Sequence, residues 1–598
     1  TFEQSKTLLE LAEIDREKGN FQEAENKINT AVKFAENYRA KIGSQELKTS
    51  FLSISQNLYK FYVNLLMQLH KQSPTKGFDI KAFNVSEQAR ARSMVESLAE
   101  SRIRIREGVD KKLLRRERVI QKKLNKKESE RIRFANRKGG EKRLKVITEE
   151  IKALLNEYKD AKTQIRISSP QYAELTEPKT LSLEDIQKSL DSETVLLEYS
   201  LGTKQSYVWA VKADSITSYQ LPPKAEIEKN ASSVHKFLTS RNELIKGETP
   251  NQREKRVEES DKALNLAIQD LSKQIIHPIA KQLDNKRIVV VSEGVLQYIP
   301  FGVLSDSALE NQQKYQPLIV KHEIVNLPSA SILEALRNRP KAKNTMSDSV
   351  AVIADPVFSE SDSRVAQSIA RQKTKPKTQN VKLNIKPDDS LLGELKRSAD
   401  DLNVNEFRRL RFSRREANDI TSFASKEKQL KAVDFAADRD LFLKQDLSKY
   451  QILHFATHGL LNNKNPELSG IVLSLVDENG KSKDGFLRLH DIYNMNIGAD
   501  LVVLSACQTA LGKDVRGEGL IGLTRGFMYA GAESVVASLW QVEDRATAEL
   551  MKKFYRGMLK EGLKPAAALR QAKVEMIKES RWGNPYYWAA FTLQGEWK

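Results

Sequence analysis

Apolar positions change their spacing three times along these 598 residues. Up to about residue 100 they recur three and four apart, as in Leu8, Leu11 and Ala12, then Phe21, Ala24, Ile28 and Ala31. That spacing lines one face of an amphipathic helix, and Gly19-Asn20 reads as the turn between two such helices. Leu52 to Leu98 continue in the same manner, less regularly. Beyond residue 100 the apolar face narrows. Leu144, Ile147, Ile151, Leu154 and Tyr158 step by 3-4-3-4, the seam of a coiled coil. Val109, Leu113, Ile120 and Leu124 supply a facing arm, and Asn136, Gly139 and Gly140 a turn, so a helical hairpin is predicted over 101–170.

From about residue 180 short β-rich runs replace the helical pattern: 195–201, 207–211, 288–292, 350–354, 452–456, 471–476, 501–505 and 535–539. Helical stretches such as 264–282 and 546–559 alternate with them. Alternation of this kind predicts an α/β domain whose mostly parallel sheet is covered by helices on both faces. Residues 359–405 break the alternation with Ser, Lys, Asp and Asn and predict a flexible insert open to proteolytic nicking. The first 100 residues fit the tetratricopeptide pattern of small residues at a helix crossing and a Gly-Asn turn. Such pairs need about three repeats to bury a core, so this array is expected to dock on the rest of the chain or to continue upstream of Thr1. The length also requires more than one core.

Composition narrows the function classes. With 40% hydrophobic and 30% charged residues, no apolar run approaches the roughly 18 needed to span a membrane. No charged-then-apolar leader opens the sequence, and a cytoplasmic location is expected. A single cysteine excludes an internal disulfide and a zinc site built on several thiolates. No metal cluster or phosphate-binding loop is evident, and no cofactor is expected. Gly517 to Gly522 spell a GxGxxG string but open no βαβ unit of the required kind. The net charge of +19 is concentrated in residues 111–145. This stretch reads as the solvated face of a helix, or as a surface for nucleic acid or an acidic partner. Its one aromatic, Phe134, leaves no stacking platform for single strands.

The one cysteine, Cys507, ends the run Leu501-Val502-Val503-Leu504-Ser505-Ala506. The run Ile452-Leu453-His454-Phe455-Ala456-Thr457 ends in His458-Gly459, 49 positions before it. In open parallel sheets, ligands bind beyond the carboxyl ends of the strands. A cysteine with a histidine about 50 residues upstream is the caspase spacing. A free thiol has a pKa of about 8.5 and needs a base, which His458 could be. The backbone N–H groups of Cys507 and Gly459 would then face a substrate carbonyl as an oxyanion site. Cysteine also packs as a small hydrophobe, so spacing alone leaves both a dyad and a pair of core residues open. His454 reads as a core residue.

Longer motifs carry a resemblance. They are His454-Phe455-Ala456-Thr457-His458-Gly459, Leu504-Ser505-Ala506-Cys507-Gln508-Thr509, Glu518-Gly519-Leu520-Ile521-Gly522-Leu523, Ala537-Ser538-Leu539-Trp540-Gln541-Val542-Glu543-Asp544 and Pro585-Tyr586-Tyr587-Trp588. In this order, from about residue 185 to 598, the chain resembles the CHAT domain of HetF-like proteins, a caspase-like module found beside tetratricopeptide repeats. The resemblance implies a degenerate caspase-like half over 185–340 and an active half over 345–598. It implies a cysteine endopeptidase with His458 as general acid/base and Cys507 as nucleophile. The stretch ending at Asp544 is similar to the separase segment whose aspartate faces a substrate arginine, which implies a pocket for Arg or Lys. Asp544 could equally cap the helix that follows it, and Arg516 and Arg525 near the cysteine would suit an acidic side chain instead. The expected partners are a protein substrate and a regulatory protein held by the helical repeats. A non-catalytic scaffold and a nucleic-acid-associated regulator are the rival readings.

Overall fold

The structure is a computed structural model that describes all residues except 1, 41, 43–44, 91, 103–107, 135–140, 170–179, 244, 285, 307–314, 338–345, 374–406, 463–464, 506–511, 516–518 and 598. Five helices come first: α1 (Phe2–Glu17), α2 (Phe21–Ala40), α3 (Gln45–Gln72), α4 (Phe78–Gln88) and α5 (Arg92–Arg102). Gly19 closes α1 at φ +80°, a left-handed conformation in which a side chain would be strained. Ala12, Ala24, Ile28 and Ala31 are fully buried where α1 and α2 cross. The hairpin follows as α6 (Lys111–Phe134) and α7 (Glu141–Ser168). Its buried residues include Ile120, Leu124, Ile147, Ile151, Leu155 and Tyr158. The seam therefore passes through Leu155, while the expected Leu154 is only partly buried. A straight helix at 3.6 residues per turn drifts off a 3.5-residue repeat, which moves the contact by one position.

Sixteen strands are described. They are β1 (Thr194–Ser200), β2 (Ser206–Val211), β3 (Ile216–Leu221), β4 (Arg287–Val291), β5 (Ile324–Asn326), β6 (Met346–Pro356), β7 (Gln429–Asp434) and β8 (Tyr450–Ala456). The second eight are β9 (His458–Leu460), β10 (Gly470–Val472), β11 (Phe486–Arg488), β12 (Leu501–Leu504), β13 (Gly512–Val515), β14 (Gly519–Gly522), β15 (Ser534–Ser538) and β16 (Phe591–Gly595). Eleven form one sheet in the order β3-β2-β1-β4-β5-β16-β15-β12-β8-β6-β7. Only the β1/β2, β2/β3 and β15/β16 pairs are antiparallel. Strands β1, β12 and β15 are buried at every position, which explains their unbroken apolar runs. β16 pairs with β15 on one side and with β5 on the other, so it joins the two halves of the sheet.

The helical array docks on the first half through buried charge. Glu87 on α4 accepts hydrogen bonds from the Ala330 amide at 3.0 Å, the Ser331 amide at 3.1 Å and the Ser331 hydroxyl at 2.7 Å. These groups open the helix Ser331–Arg337, where an anion is favoured. Arg90 lies 3.2 Å from Glu198 on β1, and Lys60 lies 2.5 Å from Glu293. Burial, then the neighbouring Glu87, push the Glu198 carboxyl well above its ordinary range.

The insert expected over 359–405 is not irregular throughout. Residues Ser363–Lys373 form a helix, and its Arg364 is paired with Asp362 at 2.7 Å and Asp434 at 2.8 Å. Residues 374–405 of that expectation lie outside the described residues.

Candidate active site

Strand β8 delivers one half of the expected pair. Leu453, Phe455 and Ala456 are buried in the sheet, and the hydroxyl of Thr457 donates to the Val472 carbonyl at 2.6 Å. The chain then enters a second, three-stranded sheet, β11-β10-β9, so His458 opens a short strand where a loop was expected. In that sheet His458 stands opposite Val472, and Gly459 opposite Ile471. β12 runs parallel to β8 with Leu504 beside Phe455, so the two strands end together. Cys507 and Arg516 lie outside the described residues. Arg525 is buried in the helix Leu523–Ala530.

His458 is held from three directions. Its Nε2 is 2.7 Å from the carbonyl oxygen of Arg408, so this nitrogen donates and the lone pair falls on Nδ1. The rings of Phe358 and Phe407 flank it at 5.1 and 5.5 Å. Burial disfavours the imidazolium and outweighs the bond to Arg408, so the pKa lies below its ordinary value. The segment 407–414 that supplies these contacts is itself tied down. Arg409 makes a bidentate contact with the buried Asp355 at 2.8 and 2.7 Å, and Arg414 donates to the same carboxylate at 3.0 Å.

A cleft opens beyond the ends of β8, β12 and β15, lined by Glu416, Thr457, Ser505, Ser538, Trp540 and Asp544, with Leu410 also on its wall. Asp544 is the first residue of the helix Asp544–Leu559, whose N-cap position belongs to Glu543. Its carboxylate accepts the Phe412 amide at 2.8 Å, at the start of the helix Arg411–Phe423. Asp544 therefore supports a neighbouring helix, a contact that differs from the expected cap on its own. Burial pushes its carboxyl up to about 6, against the pull of the Phe412 amide. It forms no ion pair among the described residues. The Ser505 hydroxyl is buried in the same cleft without a hydrogen-bond partner among the described residues. This arrangement suits a cation with several N–H donors.

Glu416 of that lining also reaches a core histidine. His454 is fully buried, with Nδ1 at 2.9 Å from the Tyr555 hydroxyl and Nε2 at 2.8 Å from Glu416. The core placement of His454 agrees with its reading, whereas Glu416 was missed. Its sequence signal was a carboxylate among Ser413, Ala417 and Ile420, the buried face of an amphipathic helix. Among the described residues no group of three or more His, Cys, Asp or Glu could hold a metal ion, and no helix is long and apolar enough to cross a membrane.

Known proteins place this geometry in a wider group. A family model described as "CHAT domain" matches residues 265–596. Tetratricopeptide repeat protein 28 of Mus musculus is 38% identical over 105 residues, 18% of this chain and 4% of that protein. The Homo sapiens protein of the same name is 37% identical over 105 residues, again 4% of its length. The match thus spans a small fraction of these curated relatives. A structure of the Saccharomyces cerevisiae separase–securin complex aligns with a TM-score of 0.50 and 11% identity, covering 99% of this chain and 40% of that one. At that identity the likeness is one of fold: helices first, then a caspase-like α/β domain.

Proposed function

Because the chain belongs to the CHAT domain family, we propose that it is a cysteine endopeptidase that cuts a protein partner after a basic residue. The observation that carries this reading is the joint ending of β8 and β12. His458 leaves one strand, and Cys507 follows the other by three residues, a reach of at most about 11 Å. In the proposed reaction the Cys507 thiol gives its proton to Nδ1 of His458 and attacks the scissile carbonyl. The amides of Cys507 and Gly459 receive the oxyanion, and the imidazolium protonates the departing amine. Water then hydrolyses the thioester. Asp544 is the counter-ion for the substrate's Arg or Lys, a contact favoured because its carboxylate forms no ion pair among the described residues.

The same geometry implies control. Phe407 and the Arg408 carbonyl pack against His458 and Leu410 walls the cleft, so a shift of this segment would change access to both. α5 packs against the helix Leu523–Ala530, which gives the helical array a physical route to the segment after Cys507. A regulatory protein bound by α1–α5 is the expected input. Incubating the wild type and Cys507→Ala with proteins encoded beside it, then sequencing new N-termini, tests activity and residue preference together. Cleavage by both sinks the assignment.

The packing of Phe358 and Phe407 against His458 favours a second reading, a caspase-like scaffold that only binds. A thiol-reactive peptide electrophile separates the two. In a scaffold, Cys507 reacts no faster than a free thiol.

A further inference from the structure

Helix α6 sorts its charges by face. Glu117 and Glu128 are buried on the side toward α7 and the sheet domain, 2% and 5% exposed. Lys111, Arg115, Arg118, Lys122 and Lys126 are all exposed. Their spacing of 4-3-4-4 puts them in one row along the helix. At 1.5 Å per residue the row is about 22 Å long. None of the five forms an ion pair with a described residue.

The hairpin is anchored along the flank that adjoins the row. Asn125 Oδ1 accepts from His490 Nε2 at 3.0 Å and from Arg488 Nη1 at 3.3 Å. Tyr158 packs edge-on to His490, and Lys162 lies over the Tyr493 ring at 5.2 Å. The row of cations is thus presented outward from a fixed support rather than from a free helix.

We propose that this outer face of α6 binds the phosphate backbone of double-stranded nucleic acid. An ordered line of unpaired Lys and Arg is the electrostatic footprint of such binding. A protein partner would be held mainly by aromatic or aliphatic anchors in pockets, and the row contains none. Single strands are bound by base stacking on aromatic rings, which the row also lacks. Recognition is therefore of backbone charge and independent of base sequence. The proposal stands apart from the protease reading, because binding is measured directly.

The test uses the full chain and a fluorescent DNA duplex of about 20 base pairs, followed by anisotropy across a salt series. Five phosphate contacts give a slope of about −4.5 in log K against log salt, a loss of roughly 10²–10³-fold between 50 and 200 mM. Joint substitution of Lys111→Glu, Arg115→Glu, Arg118→Glu and Lys122→Glu is expected to weaken binding at least tenfold and flatten the slope. The milder pair Lys122→Gln and Lys126→Gln is expected to reduce the slope by about 2. The control set Lys229→Glu, Lys246→Glu, Lys255→Glu and Lys262→Glu changes net charge equally at four other exposed lysines. It is expected to retain most of the affinity. Equal losses in both sets, or no salt-dependent binding by the wild type, overturn the proposal. So does polyglutamate binding more tightly than the duplex and losing affinity in the α6 set, which would identify an acidic protein surface.

Discussion

His458 donates its Nε2 proton to the carbonyl oxygen of Arg408, 2.7 Å away and 50 residues earlier in the chain. Phe407, next to that carbonyl, packs against the same imidazole at a tilt of 45°. Phe407→Ala removes ring contacts with His458, Phe358 and Phe486, each worth about 0.5–1.5 kcal/mol, and shifts the segment toward release by at least roughly 10-fold. Cys507 should react with iodoacetamide faster by a similar factor, provided His458 is intact. An unchanged rate means that the segment does not limit access.

Removal of either proposed dyad member separates chemistry from folding. Cys507→Ala and His458→Ala should each lower cleavage by about 10²–10⁴-fold or more, the range for loss of a positioned acid/base group. Because burial holds the His458 imidazolium below its ordinary pKa, the base form persists to pH values under 6.5. The acid limb of kcat/KM that belongs to this histidine should lie in that range. A limb centred above pH 7 contradicts the assigned environment.

Asp544 links the proposed specificity to stability. Its folded pKa of about 6 exceeds its ordinary value of 3.8, so the folded state holds that proton more tightly. The group favours folding below about pH 3.8, and this contribution is lost as pH rises through 6. Asp544→Asn should therefore melt no lower than wild type at pH 7.5, with a gain of at most about 1–2 kcal/mol after allowance for partial solvent exposure. The gain should shrink toward pH 4. Cleavage after Arg should fall steeply in the same variant. Melting well below wild type at neutral pH would assign Asp544 to holding the Arg411–Phe423 helix alone.

Arg90 offers a test of how the helical array is attached. It lies against Glu198 and Glu293 and donates to the Tyr199 carbonyl. Arg90→Met leaves the buried Glu198 short of a cation, while Glu293 keeps Lys60, and should cost about 3 kcal/mol. Glu198 softens the loss because burial already favours its protonated form. Urea unfolding with separate probes on the helices and the sheet would report it. A shift confined to the sheet would show that this contact does not attach the helices.

The parts of the fold legible in sequence are those whose burial is uniform. β1, β8, β12 and β15 read as apolar runs because helices or other strands cover both faces. β5, β9 and β11 have three residues each, too few for a period to emerge, whereas β10 is the start of the longer run expected at 471–476. β16 is not among the expected strands, since Phe591-Thr592-Leu593-Gln594-Gly595 is short and ends in glycine. At the site, His458 was legible as a strand end followed by glycine. Its contact with Arg408 was not, because it depends on a segment returning across the sheet. Glu416 was hidden by its neighbours Arg414 and Arg415, which look like a solvated charge run.

β16 also sets an order of events. Each half of the main sheet can fold from contiguous stretches of chain, but the seam between β5 and β15 closes only when residues 591–595 arrive. During synthesis these five residues leave the ribosome after everything they join. The two halves are therefore made as separate pieces and locked together late. Until residues 591–595 emerge, the sheet stays in two pieces and the cleft, which Phe591 helps to line, is unfinished.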